Sequence, residues 1–398
     1  SSKFGKNSRF APFWSVGTGW NIHNEKFLKG SPFQLLKLRA SLGYLGNISF
    51  EPYQALTMYT SLAGLNYIKG IGAVPMGIGN KNLKWERTLS ANLGLDLTMF
   101  KGRWDFSADV YVKNTDNLLL DITKAPSLGI TTSRENVGEV ENHGFEFQTR
   151  VIPIKNKDWE WSLSLNYAYN KNKIKKISNA LREQNEKNQA KGGVTPLPIY
   201  EEGQSLTALK VVSSAGIDPI TGNEVFIKRD GSLTFVYDPN DKVVYGDTTP
   251  FGMGSLGSYL TYKQFSMGMS MRYSFGGAVY NQTLASKVEG ADPRYNADER
   301  VFSSRWKEVG QQAKYKRISD SSVPMQTSRF VETNNYITLS SLSLAYEVPL
   351  TFIKRYGLKR LHLEMLANDL FYLSSVKRER GLSYPYERSV EFSVRLGF

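Results

Sequence analysis

Three histidines are the residues of this 398-residue chain whose side chains best suit catalysis or metal binding. His23, His143 and His362 lie far apart, with no carboxylate or cysteine at ligand spacing. A metal site needs clustered ligands, and histidine-assisted catalysis needs a nucleophile beside its base. We therefore expect no enzyme activity, no metal and no cofactor. His362 is interpreted as a polar residue on one face of a strand.

Two further motifs lack the spacing or neighbouring elements that their usual functions require. Residues 218–231 are rich in oxygen ligands, but their spacing does not match the EF-hand pattern, so we interpret them as a pair of turns. Residues 252–257 match the G-x-G-x-x-G string of dinucleotide-binding folds. That motif requires a helix after it. Residues with a period of two follow instead, which argues against a nucleotide site.

The most basic segment runs from Lys171 through Lys173, Lys175 and Lys176 to Lys191. One interpretation is a lip that binds anions or the phosphates of lipopolysaccharide, and the other is a solvated helix in a loop. No aromatic platform for base stacking accompanies these lysines, so we expect no nucleic-acid partner.

Composition narrows the class of protein. The chain has no cysteine, 34 glycines, 22 tyrosines, 21 phenylalanines and a formal net charge of +13. Disulfides and thiolate metal sites are therefore excluded. No apolar run reaches the length of a membrane-spanning helix. Abundant glycine and aromatic residues are typical of strands joined by turns, with aromatic belts at a membrane surface.

Alternating apolar and polar residues predict about twelve strands. The last nine residues show the pattern best, because one face is apolar and ends on an aromatic residue. That face consists of Val390, Phe392, Val394, Leu396 and Phe398. Less certain strands lie at 206–212 and 256–262. Several patterns persist for about ten residues, which is enough for a tilted strand to cross a bilayer, whereas strands of soluble sandwiches are shorter. We therefore predict an all-β, transmembrane antiparallel β-barrel.

The connections between these strands differ in length. The short ones lie at 100–102, 153–158, 262–265 and 349–359, and the long ones at 47–84, 114–141, 172–203 and 276–335. Outer-membrane barrels have short periplasmic turns and long extracellular loops, so we assign the long set to the outside. Segment 215–250 breaks the strand pattern and is not assigned to a side.

Several ordered blocks resemble the C-terminal part of SusC/RagA-type TonB-dependent transporters of Bacteroidetes. A clear example is Asn-Val-Gly-Glu-Val-Glu-Asn-His-Gly-Phe-Glu at 136–146. The remaining blocks are 9–20, 36–47, 82–86, 246–250, 262–265, 336–346, 367–371, Tyr384-Pro385 and the terminal Phe398. The resemblance covers essentially residues 1–398.

That resemblance implies an outer-membrane barrel of approximately 22 strands, of which this chain would form the C-terminal half. It also implies an N-terminal plug, absent from this sequence, a SusD-like lipoprotein lid, and energy from the TonB–ExbB–ExbD complex. The chain opens without a signal peptide. We expect its first and last strands to pair with strands outside it, because unpaired edges in lipid are prohibitive. Oligosaccharides or peptides are the expected substrates.

Candidate substrate contacts follow from residue type and position. The loop aromatics Tyr53, Tyr59, Tyr67 and Tyr200 would stack on sugar rings or peptide groups, or else serve as ordinary loop packing. Arg39 and Arg150 on predicted lumenal faces would contact polar substrate, or else belong to the electrostatics of the wall.

The terminal strand has a second expected role. Its apolar residues Phe392, Val394, Leu396 and Phe398 form the expected assembly signal for the BAM insertion machinery, and lipid and lipopolysaccharide would surround the barrel. Two alternative functions remain open. One is a siderophore- or cobalamin-type TonB-dependent receptor, and the other is a SusC-like barrel that acts as a structural scaffold.

Overall fold

The computed structural model describes residues 10–47, 56–67, 70–77, 79–80, 82–292, 294–379 and 388–398. Seventeen strands and three α-helices lie within these residues. The strands are β1 (Trp14–Asn21), β2 (Phe33–Asn47), β3 (Met58–Tyr67), β4 (Gly70–Gly77), β5 (Glu86–Met99), β6 (Trp104–Thr123), β7 (Thr132–Lys155), β8 (Trp159–Ile177), β9 (Ala208–Ile217), β10 (Glu224–Ile227), β11 (Leu233–Thr234), β12 (Lys242–Asp247), β13 (Gly252–Tyr262), β14 (Phe265–Tyr280), β15 (Val331–Glu347), β16 (Arg360–Ser374) and β17 (Ser389–Gly397). The helices are α1 (Asn179–Ala190), α2 (Arg300–Ser303) and α3 (Leu350–Ile353).

Eleven strands form one antiparallel sheet in the order β1-β2-β5-β6-β7-β8-β13-β14-β15-β16-β17. A four-stranded sheet, β11-β10-β9-β12, and the hairpin β3-β4 are separate from it. The predicted all-β class is confirmed. Among the described residues the wall has eleven strands and not about twelve, because the strand predicted at 206–212 lies in the small sheet as part of β9.

Residue alternation explains the two faces of the large sheet. Residues directly opposite each other in an antiparallel pair share a face, so the register connects Arg39, Gly94, Asp109 and Glu146 across four strands. The other face carries exposed apolar side chains, including Val16, Leu42, Leu93, Val110, Phe392 and Val394. Exposed apolar rows of this length require lipid, and the polar face therefore faces the lumen.

Tight turns close one end of the sheet. The β5–β6 turn contains Phe100, Lys101 and Gly102 at positive φ, and the β13–β14 turn contains Lys263 at positive φ. The C-terminus lies at this end too, because Gly397 pairs with Arg360 at the start of β16. This end corresponds to the short-turn side predicted from the sequence, which is periplasmic in outer-membrane barrels.

The opposite end is more regular than predicted. The connection expected at 114–141 is mostly strand, because β6 continues to Thr123 and β7 begins at Thr132. Likewise β14 extends to Tyr280, and β15 begins at Val331. The strand ends beyond the apolar band therefore project as long hairpins.

Segments 178–251 and 281–330, which we call the extracellular assembly, pack together at this end. Segment 215–250, unassigned from the sequence, belongs to it and supplies part of the small sheet. Val212 forms a parallel bridge with Thr327. Next to it, the N–H of Ser214 donates to Oγ of Ser328 at 3.0 Å. These contacts connect the segment before β13 to the segment before β15.

Hydrophobic cores are confined to this end among the described residues. One cluster joins the tips of β6–β8 to α1 through Ile122, Val137, Val140, Ile174, Ile177 and Leu181. Another contains Ala285, Val288, Tyr315 and Phe330. A single-layer barrel wall has no interior of its own, so a packed core forms only where the loops add a second layer.

The large sheet is open in the described part of the chain. There, β1 pairs only with β2, and β17 pairs only with β16. Both edges would expose unpaired backbone groups to hydrocarbon unless other strands covered them.

No helix in the described ranges is long and apolar enough to cross a membrane.

Candidate functional site

The lumenal face of β5–β8 and β13–β15 carries two adjoining cavities. One, of about 510 Å³, is lined by side chains that include Asp109, Glu146, Arg272 and Tyr336. The other, of about 380 Å³, includes Asp105 and Arg150. Ser107, Gln148 and Asn166 line both. The resulting surface combines carboxylates and cations with apolar and aromatic groups, which suits a solute that carries polar groups.

Arg39 lies on this face but forms ion pairs with carboxylates of the barrel wall itself. Its Nε is 2.7 Å from Oδ2 of Asp96, and its Nη2 is 3.0 Å from Oδ2 of Asp109. The guanidinium crosses β5 over Gly94, where a Cβ would lie 2.7 Å from Cζ of Arg39. A larger residue at that position would therefore displace the guanidinium or the Asp109 carboxylate. This geometry favours the interpretation of Arg39 as part of the electrostatics of the wall.

Arg150 differs from Arg39, although both are lumenal. It is exposed and lies opposite Asp105 and Ser164 in the register. It forms no ion pair with any described residue. Its guanidinium is therefore available to a ligand carboxylate, phosphate or hydroxyl group.

The four tyrosine candidates have different environments. Tyr53 lies outside the described residues, as does the Tyr384–Pro385 segment. Tyr59 in β3 is 67% exposed. Tyr67 ends β3, and only its backbone is described. Within the described chain, the rings of Tyr59 and Tyr200 stack on no other aromatic ring.

Tyr200 is held in the packing of the extracellular assembly. Its ring packs against the cluster around Ile174 and Leu181, and its N–H donates to Oδ1 of Asn185 at 2.9 Å. Burial raises the pKa of its hydroxyl group. These contacts favour loop packing over a role in stacking on substrate.

The extracellular assembly contains a buried ion cluster that sequence patterns do not indicate. Arg329 donates from Nε and Nη2 to Glu224, each at 2.7 Å, and from Nη1 and Nη2 to Glu289 at 2.7 and 2.8 Å. Nη1 also donates to the carbonyl oxygen of Lys314 at 2.8 Å. The side chains of Glu224 and Glu289 are 4% and 0% exposed. All five guanidinium N–H groups have acceptors.

Two other buried cations donate to backbone carbonyl groups. Arg305 donates to the carbonyl oxygens of Val301, Lys316, Val288 and Glu289 at 2.9–3.2 Å. Lys242 donates from Nζ to three carbonyl oxygens at the C-terminus of α1, where a cation also interacts favourably with the helix dipole. Burial lowers the pKa of both side chains. These residues stabilise irregular loops and are not arranged around a reacting group.

The two motifs rejected in the sequence, at 218–231 and 252–257, are both structural. Oδ2 of Asp218 accepts from the N–H and hydroxyl groups of Thr221 at 3.0 and 2.6 Å, as expected for a turn. Glu224 binds Arg329, and no cluster of three or more potential metal ligands occurs among the described residues. Residues 252–257 begin β13, and the strand predicted at 256–262 is confirmed as the rest of it.

The residues that sequence reasoning missed are those of the ion cluster. Glu224 and Glu289 lie 105 and 40 residues from Arg329. No local period connects them, because they come from β10, a π-helix at Leu284–Glu289 and a 3₁₀ helix at Ser328–Phe330. The only signal is the presence of charged residues in segments that also supply buried apolar residues.

The terminal strand has the geometry that the sequence predicts. β17 pairs with β16 in unbroken register, and its apolar side chains point away from the lumen. Phe392, Val394, Leu396 and Phe398 are between 53% and 78% exposed.

A wall of long antiparallel strands, apolar outside and polar inside, with short turns at one end and an assembly of loops at the other, defines an integral β-barrel of the Gram-negative outer membrane. The family model described as "TonB dependent receptor-like, beta-barrel" matches residues 1–364. The chain belongs to this family. The resemblance to SusC-type proteins is confirmed by the relatives below.

Among similar proteins, TonB-dependent receptor P3 of Formosa agariphila is 31% identical over 93% of this chain and 38% of its own length. TonB-dependent receptor SusC of Bacteroides thetaiotaomicron is 30% identical over 72% of this chain and 30% of its own length. The chain thus spans well under half the length of these relatives. Both carry the name of receptors and not of enzymes.

Among solved structures, the RagAB peptide transporter superposes with a TM-score of 0.81. It is 23% identical and covers 94% of this chain, which covers 41% of the RagAB chain. The same assembly in its "open-open" state also gives a TM-score of 0.81 over 100% of this chain. At this identity the likeness shows the fold.

Proposed function

We propose that residues 1–398 form the C-terminal part of the barrel of an active outer-membrane importer of oligosaccharides or peptides. A SusD-like surface lipoprotein would cover its extracellular assembly. The TonB–ExbB–ExbD complex would supply energy through a region of the protein outside this chain. The outward apolar face would contact lipid, with lipopolysaccharide in the outer leaflet. No step in this proposal makes or breaks a covalent bond of the substrate.

The observation that carries the proposal is the polar lumenal surface of a TonB-dependent receptor barrel, directly below a packed extracellular assembly. A solute that enters there meets hydrogen-bonding groups such as Gln148 and Asn166, with Arg150 as a cation free of wall carboxylates. One relative is named SusC, and one structural neighbour is named a peptide transporter. The second name supports peptides as a substrate class, and oligosaccharides rest on the resemblance to SusC/RagA-type transporters.

Uptake of labelled substrate by whole cells tests the proposal. Cells with the full-length receptor should accumulate labelled oligosaccharides or peptides, and cells that lack the receptor or TonB should not. We expect Arg150→Ala to reduce uptake severalfold at normal surface levels. Arg39→Ala is the matched control, because Arg39 already binds two wall carboxylates. TonB-independent uptake, or uptake of a ferric siderophore or cobalamin alone, would contradict the proposal.

The lipoprotein partner requires a separate experiment. The full-length receptor should co-purify with a SusD-like lipoprotein from the outer membrane at a constant ratio. If the receptor instead co-purifies with a large outer-membrane machine and supports no uptake, the scaffold alternative gains support.

We also propose that the exposed apolar row of β17 is read by the BAM insertion machinery. Deletion of Phe398, which is 78% exposed and closes this row, should lower the amount of receptor at the cell surface severalfold. Uptake per surface molecule should change little, because Phe398 lies on the outward face at the periplasmic end. Surface labelling and uptake measured on the same cells separate the two effects. Normal surface levels after the deletion would refute this role.

A further inference from the structure

We propose that Lys171 and Lys173, on the outward face of β8, bind phosphate groups of lipopolysaccharide at the extracellular membrane boundary. This inference rests on the membrane placement in the proposed function but not on what the barrel imports. It assigns to particular residues a contact that the sequence left open between an anion-binding lip and a solvated helix.

The outward face of β8 defines the position of the boundary. From the periplasmic end its side chains are Trp159, Trp161, Leu163, Leu165, Tyr167 and Tyr169. Ten residue steps at about 3.3 Å each, with the strand tilted by about 40°, span about 25 Å along the membrane normal. This matches the height of the apolar band of outer-membrane barrels, which aromatic girdles flank at both ends. Hydrocarbon therefore ends at Tyr169.

Aromatic residues of β7 and β8 pack together at this upper level. Phe145 on β7 stacks on Tyr167 and packs against Tyr169, with ring centroids 5.6 and 5.5 Å apart. Such rings mark the level of the lipid headgroups. The next outward residue on β8 is Lys171, and the next on β7 is His143, directly opposite it.

The lysines continue on the outward face. Lys171, Lys173 and Lys175 are exposed, whereas Asn172 and Ile174 between them are 8% and 2% exposed. Ile174 packs into the core below α1, on the other face of the strand. The lysines are therefore part of a strand that rises from the membrane, and the sequence interpretation of this part of the segment as a loop helix is wrong. The helix α1 begins only at Asn179.

The local carboxylates leave two of these lysines available. Oε2 of Glu141 lies 2.7 Å from Nζ of Lys175, and Oε1 of Glu141 lies 3.6 Å from Nδ1 of His143. Glu139 lies farther up, opposite Lys176. Asp116 on β6 is paired with Arg87 at 2.6 Å. Glu141 also lies directly opposite Lys173 in the register and attracts its charge, but neither Lys173 nor Lys171 forms an ion pair with any described residue.

Two unpaired ammonium groups at headgroup level match a phosphate monoester or diester. Lysines held near an anionic lipid surface are attracted to its headgroup phosphates. The strands leave the apolar band here on the extracellular side, where lipopolysaccharide forms the outer leaflet. We therefore assign the phosphates of lipid A as the occupant of this site.

Binding of lipid A to the full-length receptor in nonionic detergent tests the assignment. Phosphorylated lipid A should bind Lys171→Gln/Lys173→Gln about 25-fold more weakly than the unmodified receptor, which corresponds to about fivefold per lysine. Lipid A from which the phosphates have been removed should bind both proteins equally. Lys175→Gln should have a smaller effect, because Lys175 is occupied by Glu141.

The matched control is Lys187→Gln/Lys191→Gln, which removes the same charge from exposed lysines in α1 and just after it. These lysines belong to the same basic segment but lie on the lumenal side of the mouth, with α1. Equal losses in the two double variants would indicate nonspecific electrostatics and overturn the assignment. No loss in Lys171→Gln/Lys173→Gln, or equal loss with dephosphorylated lipid A, would also overturn it. Because lipid binding is measured without transport, failure of the proposed import leaves this result interpretable.

Discussion

The barrel wall and the extracellular assembly use charged residues in opposite ways. In the wall, Arg39 pairs with Asp96 and Asp109 at the lumenal surface, where the three side chains are 33%, 26% and 19% exposed. In the assembly, Arg329 pairs with Glu224 and Glu289, and the three side chains are at most 9% exposed. Because the pairing distances are similar, we expect solvent exposure to determine how much each cluster stabilises the protein.

The physical reason lies in the backbone. Each wall strand is held by a ladder of hydrogen bonds that any sequence with the right alternation can form. The loops lack such a ladder, and their polar backbone groups must find partners elsewhere. Arg305, Lys242 and Arg329 supply them, and each donates to at least one backbone carbonyl.

The largest effect should come from Arg329→Ala. Two carboxylates would then be buried without a counter-charge, which typically costs 3–5 kcal/mol. This chain contains no cysteine. Ala285→Cys in the core of the assembly therefore provides a reporter, with serine substituted for any cysteine elsewhere in the full-length receptor. Labelling of this thiol in the folded full-length receptor measures the free energy of opening of the assembly, and we expect that energy to fall by about this amount.

Two controls test this prediction. Arg317→Ala removes an exposed arginine from the same assembly and should change opening by less than about 0.5 kcal/mol. Arg329→Met combined with Glu224→Gln and Glu289→Gln removes the charges together and should recover most of the loss. If receptors with Arg329→Ala and with Arg317→Ala are labelled at the same rate, the buried ion cluster does not stabilise the assembly more than an exposed charge does.

A smaller, pH-dependent effect should come from Asp320. Burial acts to raise the pKa of this carboxyl group, but hydrogen bonds from Ser322 and from the Lys316 ammonium outweigh burial and lower the pKa to about 2. Nζ of Lys316 lies 2.9 Å from Oδ2 of Asp320. Because the pKa is lower in the folded state, this stabilisation is complete above about pH 4 and is lost as the pH falls toward 2.

The measurement compares Asp320→Asn with the unmodified receptor, both carrying the Ala285→Cys reporter and labelled with a pyridyl disulfide that reacts in acid. The difference in opening free energy should be on the order of 1–2 kcal/mol at pH 6 and should shrink below pH 4. A difference that stays constant down to pH 2.5 would show that this carboxylate does not stabilise the assembly through its charge.

The smallest effect should come from Arg39→Ala in the wall. Solvent-exposed ion pairs contribute about 0–1 kcal/mol, and salt screens them further. Thermal unfolding of the full-length receptor in detergent should therefore change little, and the change should decrease further at high salt. A loss of stability as large as that expected for Arg329→Ala would mean that water does not screen this ion pair on the lumenal wall.

Much of the wall could be predicted from the sequence, and little of the assembly could. The hairpin of β5 and β6, the short turn at 100–102 and the terminal strand follow from local alternation and turn residues. The small sheet was misassigned in part, because the apolar run at 206–212 has the pattern of a wall strand and differs only in its partners. Of the site residues, Arg39 and Arg150 have the same sequence signal but different environments.

By itself the sequence determined which face of each strand meets lipid, because a period of two places alternate side chains on opposite sides. It also determined the family, through blocks that keep their order along the chain. Only the tertiary structure decided which charged residues are paired. Arg39 reaches across Gly94 to a carboxylate 70 residues away. Arg150 lies opposite Asp105 but forms no ion pair with it or with any other described residue. Lys171 and Lys173 lie just above the outward aromatic residues of β8. Such relations depend on which segments meet in space, and local pattern contains no information about that.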